Sequence, residues 1–215
     1  MDLERTPTGI VIHSDWLYDL RFWLRTLGRE RSFREEIVGL ARLEPGESVL
    51  DVGCGTGTLA LAAKRRVGDS SVVHGIDPSP EMIARGRRKA DRARLETKLV
   101  EGVGQSLPYD DASFDAVLAV LTLHQVPRET LPVCIGEMAR VTKSDGRILL
   151  VDIDMGHPAN PSRTPHGRHG GHFDLATANH LLGHVGLRGI EAGPVRFRLL
   201  RFELLRYVLA VKEAG

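Results

Sequence analysis

Between residues 48 and 153, short apolar runs typical of buried β-strands alternate with longer runs whose apolar residues recur at helical spacing. Strands that alternate with helices pair in parallel, and the helices cover both faces of the sheet. The alternation therefore predicts an α/β fold in three layers. The predicted strands are residues 48–52, 72–76, 97–100, 114–120 and 147–153, and the predicted helices are residues 59–67, 80–93 and 130–142.

The segments on either side of this alternation follow other patterns. Apolar residues at helical spacing predict a helix over residues 14–28 and a second helix that begins at Ser32, where S-F-R-E has the form of a capping box. Near the carboxyl end, a predicted helix over residues 174–185 precedes two extended segments, 187–199 and 203–212. We expect these two segments to form an antiparallel pair.

Charge and cysteine content limit the classes of function. The chain has 29 basic and 28 acidic side chains and a net charge of +1, which argues against a field that attracts nucleic acid or an anionic membrane. Its two cysteines cannot form a disulfide framework, and its apolar runs are shorter than the roughly 20 residues of a membrane-spanning helix. We therefore expect a cytoplasmic monomer or homodimer that acts on a small molecule, without nucleic acid and without insertion into a membrane.

The first strand of the alternation runs into a glycine-rich turn and then into a helix, in the sequence VLDVGCGTGTLAL at residues 49–61. Small residues at such a turn let a ligand approach the backbone, and the following helix offers unpaired N–H groups. A Walker loop needs Lys and then Ser or Thr after its last glycine, whereas Gly57 is followed by Thr58 and Leu59. A dinucleotide fingerprint needs glycine where this chain has Thr58. The turn therefore predicts a nucleotide-type ligand of another kind.

Two carboxylates accompany this turn. Asp77 ends the next predicted strand, 20 residues beyond Gly57, where a carboxylate can accept hydrogen bonds from both hydroxyls of a ribose. Asp51 lies two residues before Gly53 and suits a ligand that carries an ammonium group. An adenosine joined to an amino acid satisfies both carboxylates.

With these motifs the sequence resembles the class I S-adenosylmethionine-dependent methyltransferases, especially the small-molecule branch that includes ubiquinone- and menaquinone-biosynthesis and sugar O-methyltransferases. Four ordered motifs carry the resemblance: VLDVGCGTG at 49–57, GIDPSPEM at 75–82, and the stretches 102–126 and 137–152. The resemblance implies a Rossmann-like three-layer sandwich, whose seven-stranded sheet is mostly parallel with an antiparallel last strand, under an N-terminal helical lid. It implies S-adenosylmethionine as the cofactor and S-adenosylhomocysteine as the product.

The resemblance also divides the chain and assigns cofactor contacts. It implies one methyltransferase domain over residues 1–215, with a helical cap at 1–44, a cofactor-binding core at 45–154 and an acceptor-side segment at 155–215. The residues it implies in cofactor binding are Asp51, Gly53, Cys54, Gly55, Gly57, Asp77, Pro78, Met82, Val103, Gly104, Gln105 and Val120.

Within this set the glycines are expected on the methionine part, Asp77 on the ribose, and Pro78 and Met82 beside the adenine. The sequence departs from the family pattern at Val103, where relatives usually carry an aspartate that receives the adenine amino group. We expect backbone groups and Gln105 to hold the adenine instead.

Two residues at the carboxyl edge of the predicted sheet are candidates for proton transfer. His124 follows one strand and Asp152 ends the adjacent strand. They resemble the histidine and aspartate of some sugar O-methyltransferases, in which the imidazole removes a hydroxyl proton as the oxygen attacks the methyl group. A purely structural role for this pair weighs about equally. The expected acceptor contacts are His124, Tyr18, Phe22 and His169.

A glycine-rich loop carries His166, His169 and His172 at a spacing of three, which makes it a candidate metal site. Because no carboxylate or thiolate is clearly joined to the set, we predict that the loop binds no metal.

These features predict transfer of the sulfonium methyl group to an oxygen, nitrogen or carbon nucleophile on a small organic acceptor, by in-line displacement. Three alternatives remain open. The first is a nicotinamide oxidoreductase of similar fold, which Thr58 disfavours. The second is a non-catalytic S-adenosylmethionine-binding regulatory protein, and the third is a metal or metalloid methyltransferase that uses the histidine-rich segment 157–184.

Overall fold

The computed structural model describes residues 2–6, 9–13, 28–153, 175–197 and 205–213. The strands are β1 (Asp2–Thr6), β2 (Gly9–His13), β3 (Val49–Val52), β4 (Val73–Asp77), β5 (Lys98–Glu101), β6 (Phe114–Val120), β7 (Thr142–Ile153), β8 (Leu187–Pro194) and β9 (Leu205–Lys212). The helices are α1 (Glu30–Leu40), α2 (Thr58–Val67), α3 (Pro80–Ala93), α4 (Leu131–Val141) and α5 (Leu175–His184), with a short 3₁₀ turn at Leu123–Gln125. In this described part of the chain, no helix has the length and apolar character needed to cross a membrane.

Strands β3 to β9 form one seven-stranded sheet in the spatial order β5-β4-β3-β6-β7-β9-β8. The strands from β5 to β7 in this order pair in parallel, and β9 pairs antiparallel with both β7 and β8. The predicted Rossmann-like, mostly parallel sheet with an antiparallel last strand is confirmed. The chain runs outward from β3 through β4 and β5 and then crosses back to β6. Strands β3 and β6 therefore flank the switch point at which open α/β sheets bind their ligands.

Side chains of the central strands alternate between two hydrophobic cores, one on each face of the sheet. Val49 and Leu118 pack with α1 and α2 on one face, whereas Leu50 and Val117 pack with α4 and α5 on the other. All four side chains are fully buried. Because helices cover both faces, successive strand residues are all apolar, as the continuous runs of the sequence predicted.

The first residues differ from the predicted helical cap over residues 1–44. Residues 2–6 and 9–13 pair as an antiparallel hairpin, with Asp2 opposite His13. The run G-I-V-I-H is rich in β-branched residues, and Pro7 between the two runs and Gly9 at the start of the second favour a turn. The helix predicted over 14–28 lies outside the described residues apart from its last position.

The second predicted helix of the cap is present as α1, but it begins earlier than predicted. Its N-cap is Arg29, which makes no side-chain capping hydrogen bond. Ser32 therefore lies inside the helix and does not form the predicted capping box. Tertiary packing explains the extension, since Phe33 and Ile37 are both fully buried against the sheet.

At the carboxyl end, the predicted antiparallel pair is present as β8 and β9. β9 is inserted between β7 and β8, with Leu149 opposite Leu209 and Gly193 opposite Tyr207. Both faces of β9 are buried at its centre, where Val208, Leu209 and Ala210 are fully covered. This explains why β9 is the more apolar of the two segments, whereas the edge strand β8 is largely exposed.

Arg147 in β7 ties the end of α1 to the sheet. Its guanidinium donates to the backbone carbonyls of Ala41 and Arg42 at 2.5 and 2.8 Å. It also forms a bidentate pair with Glu47 at 2.8 and 2.5 Å, in which the two side chains are only 13% and 19% exposed. Burial alone raises the pKa of Glu47, but the hydrogen bonds and charge of Arg147 outweigh it and hold that pKa below its usual range.

We expect Arg147→Met to lower the free energy of unfolding by about 2–4 kcal/mol, because two carbonyls and a shielded carboxylate lose their charged donor. The matched control is Arg188→Met, since the Arg188–Glu213 pair is 68% and 66% exposed and such pairs contribute about 0–1 kcal/mol. Urea denaturation of both variants measures the difference. Equal losses in the two variants would contradict the anchoring role of Arg147.

Candidate functional site

The turn after β3 lies too close to the neighbouring strand end to accommodate a side chain. Gly53 and Gly55 have positive φ angles of 71° and 53°, a conformation that favours glycine. A Cβ atom on Gly53 would lie 2.0 Å from Oγ1 of Thr122, which follows β6. The turn after β3 and the turn after β6 line one cavity at the carboxyl edge of the sheet.

The cavity brings together every predicted cofactor residue except Gly57. The described lining includes its neighbours Thr56 and Thr58 but not Gly57 itself. A Cβ atom on Gly57 would instead lie 2.9 Å from Cδ1 of Leu99 in β5 and 3.5 Å from Cα of Gly86 in α3. Gly57 therefore has a packing role, since it lets the start of α2 approach β5 and α3, and its cofactor contact stays a prediction.

Asp51 in β3 lines the cavity and is only 2% exposed. Its Oδ2 atom has no hydrogen-bond partner among the described residues. Burial raises the pKa of Asp51 to about 7, against the opposing charge of Arg34 and with a smaller contribution from Asp77. Because an unsatisfied buried oxygen is destabilising, this site suits a ligand that supplies an N–H donor.

Asp77 at the end of β4 holds the glycine turn in place. One carboxylate oxygen accepts from the backbone N–H of Gly55 at 2.8 Å, and the other accepts from that of Ser79 at 2.9 Å. Burial raises the pKa of Asp77 despite these two hydrogen bonds. Each oxygen keeps a second lone pair, so the carboxylate can still accept from two ribose hydroxyls. Ser79 caps α3, since its Oγ accepts from Met82 N at 3.3 Å.

The end of the cavity beyond β5 is formed by residues 103–105, which include the position where the sequence departs from the family pattern. A β-bridge between Val103 and Ser106 closes this turn. The side-chain amide of Gln105 donates to Oγ1 of Thr130 at 3.4 Å. Its position in the cavity lining is compatible with the expected adenine contact.

Both cysteines line the cavity without being reactive. Burial raises the pKa of Cys134 to about 12 and that of Cys54 well above its ordinary value. Because the thiolate is the nucleophile and metal ligand, both thiols are inert at neutral pH. Both side chains are buried and pack in the hydrophobic cores of the sheet.

His124 and Asp152 meet at the ends of β6 and β7. Nδ1 of His124 lies 2.7 Å from Oδ1 of Asp152, and the backbone N–H of His124 donates to Oδ2 at 3.0 Å. Asp152 is fully buried, whereas the His124 side chain is 30% exposed. Burial lowers the pKa of His124, but the charge of Asp152 and its hydrogen bond outweigh this effect, so the pKa lies above its usual range. Leu123 and Gln125, on either side of His124, line the cavity.

The other predicted acceptor contacts, Tyr18, Phe22 and His169, lie outside the described residues, as does most of the histidine-rich segment. In the described ranges, no group of three or more His, Cys, Asp or Glu side chains is arranged to hold a metal ion. His180 and His184 lie on α5 and are exposed.

Two residues near the glycine turn were missed by the sequence interpretation. Arg34 in α1 lines the cavity, but the sequence S-F-R-E around it had been interpreted as a capping box. Lys89 in α3 also belongs to this region, since its Nζ donates to Oγ1 of Thr56 at 2.8 Å. Spacing within one helix does not show which face a neighbouring turn will contact, so the sequence carried no direct signal for either residue.

The fold and the site together define a Rossmann-like α/β domain with a nucleoside-type cavity at its switch point. Residues 49–146 match the family described as a methyltransferase domain. Over these residues the chain is similar to the S-adenosylmethionine-dependent methyltransferases, as the motifs predicted.

A similar region occurs in curated methyltransferases. The chain is 38% identical over 136 residues to a demethylmenaquinone methyltransferase from Shouchella clausii strain KSM-K16. This alignment covers 63% of the present chain and 57% of the relative. The similarity thus spans little more than half the length of that protein.

Solved structures share the fold at low sequence identity. A SAM-dependent methyltransferase from Aquifex aeolicus has a TM-score of 0.69 and 20% identity, over 83% of this chain and 89% of the other. The cyclase SpnF has a TM-score of 0.72 and 21% identity, over 86% of this chain and 81% of the other. Because proteins of different activity share it, the fold alone does not determine the reaction.

The residues present fit the cofactor of the family. Asp51 offers an unsatisfied buried oxygen to an ammonium group, and Asp77 retains acceptor capacity for a ribose. Gly53 and Gly55 keep the backbone between these two carboxylates bare, which permits close approach of a ligand.

We expect Gly53→Ala to lower the free energy of unfolding by about 2–5 kcal/mol and to abolish binding of S-adenosylhomocysteine, since the new methyl group meets Thr122 in a strained backbone conformation. Gly39→Ala is the control, because no atom lies within 4 Å of a Cβ at that position in α1. The free energy of unfolding of that variant should rise by about 0.5–1 kcal/mol, because alanine favours a helix more than glycine does. Thermal denaturation and calorimetry distinguish the two; a G53A protein with unchanged stability would contradict the close approach.

Asp51 should make the ligand-free protein less stable as the pH rises. Its folded-state pKa of about 7 exceeds the unfolded value of about 3.9, so the folded state holds more protons between these pH values and stability falls across the window. Near pH 8, we expect the free energy of unfolding of Asp51→Asn to exceed that of the wild type by about 2–4 kcal/mol. This difference should vanish toward pH 4, where the folded wild type holds the proton. Urea denaturation over this range measures it.

Asp115→Asn provides a control of opposite sign. Burial raises the pKa of Asp115, but hydrogen bonds from Lys143 and Ser48 outweigh it, so that pKa is lowered in the folded state. Its contribution is therefore present above the unfolded pKa and lost as the pH falls. D115N should be destabilised near pH 8. If D51N were also less stable than the wild type near pH 8, the carboxylate of Asp51 would have to be stabilised by hydrogen bonds or charges in the folded protein.

Proposed function

We propose that this protein transfers the methyl group of S-adenosylmethionine to a small acceptor that carries an ionisable hydroxyl group. The observation that carries the proposal is the hydrogen-bonded pair of His124 and Asp152, with 2.7 Å between Nδ1 and Oδ1, at the ends of the strands beside the cavity. A buried carboxylate behind a partly exposed imidazole is an arrangement suited to general base catalysis.

In this proposal, the carboxylates and the glycine turn hold the donor. Asp51 binds the ammonium group, Asp77 accepts from the ribose hydroxyls, and Gly53 and Gly55 leave room for the backbone to contact the ligand. When bound, S-adenosylmethionine supplies an electrophilic methyl group on a sulfonium. Alignment of the acceptor with that methyl group accounts for much of the acceleration, since positioning can contribute roughly 7–11 kcal/mol.

His124 acts as the base, and Asp152 acts on it as a positioning residue. Because Oδ1 of Asp152 contacts Nδ1, the neutral imidazole carries its proton on Nδ1 and presents Nε2 as the acceptor. The hydroxyl proton of the acceptor moves to Nε2 as the oxygen forms its bond to the methyl carbon and the carbon–sulfur bond breaks. The buried negative charge of Asp152 stabilises the imidazolium that results.

The name of the curated relative favours a specific class of acceptor. The Shouchella clausii protein is a demethylmenaquinone methyltransferase, and a quinone of this type carries ring hydroxyl groups in its reduced form. Loss of a hydroxyl proton to His124 would make either that oxygen or a ring carbon nucleophilic. A reduced naphthoquinone lacking the ring methyl is therefore the first acceptor to test, followed by simple phenols and sugars.

A non-catalytic S-adenosylmethionine-binding protein is the alternative, because the fold and a cofactor cavity do not by themselves establish turnover. The two functions differ in one measurement. A methyltransferase converts S-adenosylmethionine to S-adenosylhomocysteine at a rate that depends on the acceptor, whereas a binding protein leaves it unchanged with every acceptor of the panel.

We expect His124→Ala to lower kcat by about 10²- to 10⁴-fold with the best acceptor of the panel, the range typical of general base catalysis. The wild-type rate should rise with pH as the imidazole loses its proton, with an apparent pKa above that of an ordinary histidine because of Asp152. Asp152→Asn should move this apparent pKa downward while S-adenosylhomocysteine affinity stays unchanged. Chromatography of S-adenosylhomocysteine over a pH series measures both effects.

His184→Ala is the control for these variants, since this histidine is exposed on α5. It should match the wild type in rate and pH profile. Wild-type turnover in both H124A and D152N would remove the proposed base and would favour an acceptor without an ionisable hydroxyl group.

A further inference from the structure

The glycine turn after β3 is held by α3 as well as by β4. Lys89 of α3 donates from Nζ to Oγ1 of Thr56 at 2.8 Å. Thr56 lies between Gly55 and Gly57, lines the cavity and is only 3% exposed. The hydrogen bond therefore links a helix outside the cavity to the middle of the turn that lines it.

From this contact we propose that Lys89 is a positioning residue, which acts through Thr56 to hold the glycine turn in its binding conformation before the donor arrives. The inference rests on the proposed function, because it takes S-adenosylmethionine as the donor. It concerns the affinity for the donor and not the methyl transfer itself. Lys89 is assigned no contact with the donor, so its effect on binding is indirect.

The composition of the turn gives it more conformational freedom than most turns have. Gly53, Gly55 and Gly57 occupy three of its five positions, and their φ angles are all positive, between 53° and 72°. Glycine adopts such angles without strain, but it also loses more conformational freedom on ordering than any other residue. A ligand that contacts this backbone must order the turn as it binds, unless the protein has already ordered it.

The backbone of α3 lies directly against this turn. A Cβ atom on Gly86 would lie 3.3 Å from the carbonyl carbon and oxygen of Thr56, and 2.6 Å from Cδ1 of Leu99. Gly86 and Lys89 are three residues apart and therefore lie on one face of the helix. Because Gly86 has no side chain, this face comes close enough for the ammonium group of Lys89 to reach the hydroxyl group of Thr56.

Two further attachments fix the position of α3. Asp77 accepts one hydrogen bond from the backbone of the turn and one from the backbone of Ser79, the N-cap of α3. Further along the helix, Arg87 donates twice to the backbone carbonyl of Leu99 in β5, at 2.7 and 3.0 Å. Lys89 therefore extends from an element that is already held on the sheet, and its hydrogen bond can restrain the turn.

Lys89 differs in its surroundings from other basic residues of α3. Arg88 and Arg92 are exposed, whereas Lys89 is half-buried. A hydrogen bond from a charged donor is stronger than one between neutral groups, and partial burial reduces its screening by solvent. The contact with Thr56 therefore contributes to the order of the turn in the ligand-free protein.

The first test is calorimetry of S-adenosylhomocysteine binding to Lys89→Met, Lys89→Arg and Arg92→Met. Arg92 is the matched control, because it is basic, exposed and three residues further along the same helix. We expect K89M to bind about 3- to 10-fold more weakly, because the turn is then ordered only as the ligand binds. K89R keeps a charged donor and should retain most of the affinity, and R92M should match the wild type.

A double-mutant cycle with Thr56→Val shows whether Lys89 acts through Thr56. Valine has nearly the shape of threonine but lacks the hydroxyl group that Lys89 contacts. The losses of affinity from the two substitutions should not add. Once the hydroxyl group is absent, adding Lys89→Met should weaken binding by less than about 2-fold.

Hydrogen exchange followed by mass spectrometry separates this role from a general loss of stability. In ligand-free K89M, we expect faster exchange than in the wild type in the turn at 53–57, and unchanged exchange in β7. Saturation with S-adenosylhomocysteine should restore the protection of the turn to that of the wild-type complex.

Three results would overturn the role of Lys89 and leave the proposed function intact. The first is K89M that binds S-adenosylhomocysteine as the wild type does. The second is a double variant whose loss is the product of the two single losses, since Lys89 would then act independently of Thr56. The third is exchange that becomes faster in β7 as much as in the turn, which is the signature of a structural role. Absence of binding to the wild type would overturn the proposed function and this inference together.

Discussion

The close approach of two backbone turns at the switch point of the sheet determines where every functional group lies. The backbone of Gly53, after β3, lies so close to the side chain of Thr122, after β6, that no side chain fits at position 53. The turn is held from the other side by β4, since the N–H groups of Gly53 and Cys54 both donate to Ile76 O at 2.8 and 3.0 Å. These hydrogen bonds fix the turn, in which glycine adopts the positive φ angles of positions 53 and 55 without strain, and the turn lines the cavity.

The same geometry explains why the site contains a buried carboxylate that the fold does not satisfy. Asp51 lies two residues before Gly53, in the part of β3 where both faces of the sheet are covered. Its charged form is disfavoured by burial in the ligand-free protein and becomes favoured beside an ammonium group. The destabilisation is therefore located where ligand binding removes it, which is a common feature of functional sites.

The sequence predicted the sheet and the cavity well because both depend on local pattern. Continuous apolar runs identify strands buried on two faces, and the positive φ angles of the turn after β3 require residues like Gly53 and Gly55. The interpretation failed where contacts between distant segments decide the outcome. The apparent cap at Ser32 lies inside α1, because the packing of the whole helix against the sheet, and not the local capping pattern, decides where it begins. Arg34 was missed for the same reason, since its contact with the cavity depends on how α1 docks.

Since the fold is shared with proteins of other activity, the ionisable groups of the site and their ability to transfer a proton are what distinguish one reaction from another. The thiols of Cys54 and Cys134 are protonated at neutral pH because burial raises their pKa values. Asp51, in the proposed complex, is held in its charged form by the donor's ammonium and is not available to take a proton. His124 differs from these groups because its side chain is partly exposed and backed by a buried carboxylate. It is therefore the described group beside the cavity best suited to accept a proton from an acceptor hydroxyl, and this favours an ionisable acceptor over one that needs no base.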